Sequence, residues 1–355
     1  MQVIRTLIAL SVALTFPSTS AYAADLTGAK CKKAGQVRTL IDSKYKCIKE
    51  GKKLTWRKII VPTQLAYATL SKEEAEVYNL IDQQISQLNS QLNSGIAPKI
   101  TYITDAPTNA RGKEIETAAK TAAKILNGFK SQMPDFEIYA WDNLDWVKEK
   151  LKVTCPSLGE QTTKNSGGAV GCGKMFADNL NGWMNTMGPT HASWYESAHE
   201  TFHIAQYNWA IDINEPTDSR FYENSTAWYR EGSASVFGGM IASLLSNGSR
   251  NYGSTTAFEG SPYKYLVCKD PWNTWNVSNK PEGFGVFKDC EYGAGRRIMD
   301  LLVAKHGGVA GLLNFYAELG KGANFETAFE KAHGLTLKAF FTEAEAYLDA
   351  SGWKK

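Results

Sequence analysis

Five consecutive residues carry the clearest chemical signal in the chain. His199-Glu200-Thr201-Phe202-His203 reads H-E-x-x-H. On a helix, residues four apart share a face, so both imidazoles can converge on one ion with Glu200 beside them. Neutral imidazole nitrogen binds zinc at about 2.0–2.1 Å, and a nearby carboxylate can take the proton of a water that zinc acidifies. The chain has only five histidines, which makes this pattern a poor candidate for coincidence. Trp194, Tyr195, Ala198, Phe202, Ile204 and Ala205 give the segment apolar surroundings. It therefore reads as a buried helix, where two histidines and a glutamate without a partner would be costly.

A catalytic zinc keeps three protein ligands and one open position, so a third ligand is needed. The metzincin pattern would place Gly at 206 and His at 209, and Gln206 and Trp209 exclude it. Downstream, Ala227-Trp228-Tyr229-Arg230-Glu231-Gly232-Ser233-Ala234 opens a second helix that runs to about Leu245. Glu231, amid Trp228, Ala234, Phe237 and Met240, is the expected third ligand. The competing reading pairs it with Arg230 or another base. Glu196, Asp212, Glu215 and Glu223 are weaker candidates for the same role.

HETFHIAQY followed by WYREGSA resembles the gluzincin metallopeptidases, the clan of thermolysin and aminopeptidase N. More narrowly it is similar to a secreted HExxHxxQ…EGxA branch, over residues 165–350. The carboxy-terminal stretches EYGAGRRIMDLLVAKHGG and NFETAFEKAHGLTLKAFFTEAEAYL, with an A-F…G-x-(S/T)-x…F pattern, fit that branch. The resemblance implies zinc held by His199, His203 and Glu231, with Glu200 as general base and acid. It also suggests Tyr292 as a donor to the developing oxyanion, against an ordinary packing role. A strand over Gly168–Met175, pinned by Cys172 to Cys155, would border the cleft. Two departures stand out. Glu231 follows His203 by 28 positions, and Ser235 replaces the aspartate that orients a ligand histidine in thermolysin-like proteins.

The elements around these residues point to an α+β fold. A small mixed sheet and the HExxH helix would be followed by a mostly helical carboxy-terminal subdomain. ITYIT (100–104) and FEIYAW (136–141) read as strands flanking a helix over 112–130. Ser71 and Glu74 form a capping box, and Tyr78, Ile81, Ile85, Leu88 and Leu92 repeat at helical spacing. That predicts a helix over 71–93, acting as spacer or packing helix. His191, His306 and His333 read as surface residues, and the ten tryptophans mainly as core.

Residues 1–23 read as a secretory signal: Arg5, the apolar stretch Leu7 to Phe16, then Ala21-Tyr22-Ala23 for cleavage. Export suits the six cysteines, for which pairing of neighbours (Cys31 with Cys47, Cys155 with Cys172, Cys268 with Cys290) is the simplest of several possibilities. Residues 24–60 carry eleven basic and three acidic side chains and resemble the two-cysteine modules of secreted actinobacterial proteins. Such a piece would either contact an anionic cell wall or act as a solubilising cap. Residues 61–98 would link it to a metallopeptidase-like domain over 99–355.

A net charge of +3 with 43% hydrophobic residues excludes general disorder and argues against a nucleic-acid partner. No apolar run is long enough for a transmembrane segment. The sequence therefore predicts a secreted zinc metallopeptidase acting on peptide or protein substrates. The alternative is a non-catalytic envelope scaffold with a structural or relic zinc site.

Overall fold

The computed structural model describes residues 29–40, 43–50, 53–58, 70–105, 110–129, 133–154, 170–172, 183–187, 193–210, 226–246, 251–255 and 294–351. Two compact units divide the chain, Met1–Val61 and Pro62–Lys355.

In the first unit, strands β1 (Val37–Leu40), β2 (Ser43–Glu50) and β3 (Lys53–Lys58) form an antiparallel meander. Its core is small: Cys47 and Trp56 face each other across β2 and β3 and are buried, with Cys31 and Leu54 packed against them. Cys31 and Cys47 form the disulfide that the neighbour pairing predicts. A unit with so few buried side chains depends on that staple. Lys30, Lys32, Lys33, Lys49 and Lys53 are exposed. Cys155, Cys268 and Cys290 lie outside the described residues, as does the leader segment.

The second unit opens with α1 (Lys72–Ser94), where Ser71 and Glu74 complete the reciprocal capping box. Tyr78, Ile81, Ile85 and Leu88 bury its apolar stripe in the main core, so α1 is a packing helix. A four-stranded mixed sheet then forms from β4 (Ile100–Thr104), β5 (Phe136–Ala140), β6 (Val170–Cys172) and β7 (Trp183–Met187), in the order β4-β5-β7-β6. β4, β5 and β7 run parallel, which requires crossovers. The helices α2 (Ala110–Gly128) and α3 (Leu144–Thr154) lie in those crossovers. β6 closes one edge antiparallel to β7, within the predicted 168–175 strand.

The remaining described elements are helical: α4 (Trp194–Ala210), α5 (Ala227–Leu245), the short α6 (Tyr252–Thr255), α7 (Ala294–Lys305), α8 (Gly308–Gly320), α9 (Phe325–His333) and α10 (Leu337–Ala350). The α+β arrangement is as expected. Every described side chain of α5 from Trp228 to Ser243 is buried, so this helix is buried all round and central to the core. The A-F…G-x-T…F pattern proves to be a folding device. Ala328 and Phe329 are buried on α9, Gly334 ends it in the left-handed region at φ 73°, Thr336 caps α10, and Phe340 is buried. His333 corrects the surface expectation. It is buried, its Nδ1–H donates to the His306 carbonyl, and its Nε2 accepts from Tyr229 Oη, both at 2.7 Å. Burial lowers its pKa to about 4, so it stays neutral.

Candidate metal centre

Helices α4 and α5 build the site by lying unusually close. At Gly238 a Cβ would come within 2.8 Å of the Tyr195 carbonyl oxygen and 3.3 Å of the His199 Cβ. Glycine therefore lets α5 press its backbone against the turn of α4 that carries His199. A larger residue here would push apart the two helices that supply the polar groups.

On α4, His199, Glu200 and His203 are all buried, and their ligand-capable atoms lie within 4.8 Å of one another. His199 Nε2 and His203 Nε2 are 3.0 Å apart. From α5, Glu231 Oε2 stands 3.5 Å from His199 Nε2 and 3.4 Å from His203 Nε2. Glu200 Oε1 lies 3.8 Å from His199 Nε2. A tetrahedral ion with bonds of about 2.1 Å separates its ligand atoms by roughly 3.4 Å. The triangle formed by two imidazole nitrogens and one carboxylate oxygen matches three corners of such a tetrahedron.

Each corner has its own support. Gln206, one turn beyond His203, directs its amide nitrogen at the Arg230 carbonyl (2.9 Å) and Ser233 Oγ (2.8 Å). Since a carbonyl only accepts, the amide oxygen must face His203, where it stands 2.6 Å from Nδ1. This puts the proton of neutral His203 on Nδ1, leaving the Nε2 lone pair aimed at the cluster. Ser235 Oγ contacts His199 Nδ1 at 3.4 Å, so a serine takes up the orienting position read from the sequence as a departure. Arg230 Nε reaches Glu231 Oε1 at 3.4 Å, which leaves Oε2 to face the histidines. Arg230 and the histidines thus share Glu231 between its two oxygens.

That arrangement leaves lone pairs confronting a buried carboxylate, and only a positive charge can reconcile them. A proton can serve. Burial disfavours charge on His203, but the Glu231 carboxylate beside it prevails and raises the histidine to about 9. Burial likewise raises Glu231, yet the His203 charge and hydrogen bonds from both imidazoles hold it well below the usual carboxylate range. A divalent cation meets the same demand with ligands of the right type and spacing. The donor set of two imidazoles and a carboxylate fits a metal ion.

Of the residues predicted from sequence, His199, Glu200, His203 and Glu231 are brought together. Tyr292 lies outside the described residues, as do Asp212, Glu215 and Glu223. Glu196 is on α4 but makes no contact with the ligand triangle among the bonds and ion pairs of the described residues. Reasoning from sequence singled out the Ser235 position but missed Gln206 and Ser233 as supports. The available signal was spacing: Gln206 is three residues past His203, on the same face of its helix. No family model, curated protein or solved structure matches the chain.

Proposed function

We propose that the protein is a secreted zinc-dependent metallopeptidase of gluzincin type. The observation that carries this reading is the convergence of His199 Nε2, His203 Nε2 and Glu231 Oε2 at 3.0–3.5 Å, with the Glu200 carboxyl alongside. His199, His203 and Glu231 would hold the ion. A bound zinc supplies Lewis acidity, lowering the pKa of a coordinated water and polarising a carbonyl. Glu200 accepts the proton of the attacking water and returns it to the leaving amine. Gln206 and Ser235 hold the imidazoles in register, and Arg230 keeps one oxygen of Glu231 turned inward. Tyr292 is the proposed oxyanion donor.

Support for export comes from the leader pattern and the Cys31–Cys47 disulfide. No helix among the described residues is long and apolar enough to cross a membrane. The exposed lysines of the first unit favour an anionic wall or surface as its contact.

Zinc content and a peptide-library digest of the full chain and Glu200→Gln test the reading together. The variant is expected to keep its zinc and lose cleavage by about 100-fold or more. Undiminished cleavage by Glu200→Gln would remove the mechanism. A zinc-loaded wild type inert on every peptide would favour the envelope-scaffold alternative.

A further inference from the structure

The support of His203 extends beyond Gln206. Gln206, Ser233 and Tyr316 are all fully buried and come from three helices, α4, α5 and α8. Gln206 Nε2 lies 2.8 Å from Ser233 Oγ. Ser233 Oγ in turn lies 3.2 Å from Tyr316 Oη and 3.1 Å from the Arg230 carbonyl oxygen. With Gln206 Oε1 2.6 Å from His203 Nδ1, these contacts run unbroken from α8 to the candidate ligand. Packing fixes the far end. At Gly320, one turn past Tyr316, a Cβ would collide with the Trp209 carbonyl oxygen, so α8 lies pressed against the end of α4.

Counting hydrogens along this line sets the direction of each bond. The Arg230 carbonyl only accepts, so it takes the Ser233 proton and one N–H of Gln206. Ser233 has no second proton, and its two lone pairs receive the other Gln206 N–H and the Tyr316 O–H. Tyr316 is therefore the donor. Reversing that bond would turn the Ser233 proton toward Tyr316 and leave two buried acceptors, Ser233 Oγ and the Arg230 carbonyl, facing each other. Held as an acceptor toward Gln206, Ser233 draws the amide nitrogen and sends the amide oxygen to His203 Nδ1. His199 is served by Ser235 and not by this line.

We propose that Tyr316 is a positioning residue of the metal centre. Through Ser233 and Gln206 it holds the Nδ1–H of His203 in place, so that Nε2 stays turned toward the ion. Tyr316 touches neither metal nor substrate. The inference rests on the reading of His203 as a metal ligand and adds the helix, α8, that fixes its ring from outside the α4–α5 pair.

NMR of the full chain with 15N-labelled histidine, beside chelator competition for zinc, tests this without catalysis. Tyr316→Phe keeps the ring and removes only the hydroxyl. In the zinc-loaded variant the His203 Nδ1–H should exchange with water about 3–10-fold faster, and zinc should bind about 3–10-fold more weakly. The His199 ring N–H should not change. Ser233→Ala tests the same line with the same expected result should Tyr316→Phe not fold. Tyr229→Phe removes an equally buried hydroxyl, one that donates to His333 Nε2 at 2.7 Å. It should lower stability and leave His203 exchange and zinc affinity unaltered. Unchanged exchange at His203 in Tyr316→Phe, or an equal acceleration in Tyr229→Phe, would overturn the proposal. A wild type that binds no zinc would instead refute the metal reading. The zinc-free chain then decides, because Nδ1 faces Gln206 with or without a metal: faster exchange in Tyr316→Phe upholds the line, and equal exchange overturns it.

Discussion

Two buried polar clusters lie within the second unit, and they are balanced in opposite ways. Around α1, α6 and α7, Arg297 pairs with Glu74 and donates to Tyr78, while Arg296 donates to Tyr252 Oη, which in turn donates to Asp300. Two guanidinium groups face two carboxylates, and the cluster closes on itself. At the α4–α5 contact, two imidazoles converge on Glu231, with Glu200 adding a second acid and Arg230 the one guanidinium among the described residues. The first cluster is internal bracing. The second needs a positive charge between its imidazoles and Glu231, which either a proton on His203 or a divalent cation can supply.

Breaking the braced cluster gives the largest expected effect. Arg297→Ala leaves Glu74 buried without its partner and should destabilise the fold by about 3–5 kcal/mol. Denaturant unfolding would measure this, with zinc affinity of the folded fraction unchanged. A comparable loss of zinc affinity would mean that the two clusters are one.

The next effect is a pH dependence confined to the metal-free form. His203 is raised in the folded state to about 9, above its ordinary value of 6.5. Its stabilising contribution is therefore complete below pH 6.5 and is lost as pH rises through 9. Urea midpoints of the zinc-free protein should fall across that window, and those of the zinc-loaded protein should stay flat there. Identical profiles would dissociate the histidine from the metal.

Gln206→Ala removes the group that sets the His203 tautomer and should weaken zinc binding about 10–100-fold. Competition with a chromogenic chelator reads this directly, and an unchanged constant would reject the orienting role. Ser235→Ala, whose contact with His199 is longer at 3.4 Å, should stay at or below the lower end of that range. A larger loss than for Gln206→Ala would reverse their order.

The first of these clusters was silent in the sequence and the second was legible, for a physical reason. Zinc chemistry imposes both residue type and helical spacing, so His199, Glu200 and His203 declare themselves. Glu231 follows because an acid amid Trp228, Phe237 and Met240 demands an explanation. The competing reading, an ion pair with Arg230, was half of the truth, since a carboxylate has two oxygens. Bracing pairs such as Arg297 with Glu74 come from helices over 200 positions apart, and no local pattern announces them. The packing helix α1 was readable from the apolar periodicity of Tyr78, Ile81, Ile85 and Leu88. β7 was not, because Trp183–Met187 is a short interior strand whose pairing with β5 and β6 comes from distant chain. His333 was missed because its burial depends on Tyr229 and the His306 carbonyl, both remote in sequence.

The central claim is one cation shared by three side chains. Anomalous diffraction at the zinc edge on crystals of the full chain, grown with zinc, tests it most directly. A single peak at about 2.1 Å from His199 Nε2, His203 Nε2 and a Glu231 carboxylate oxygen is the predicted result. A zinc peak bound without Glu231, or none between the two histidines, would contradict it.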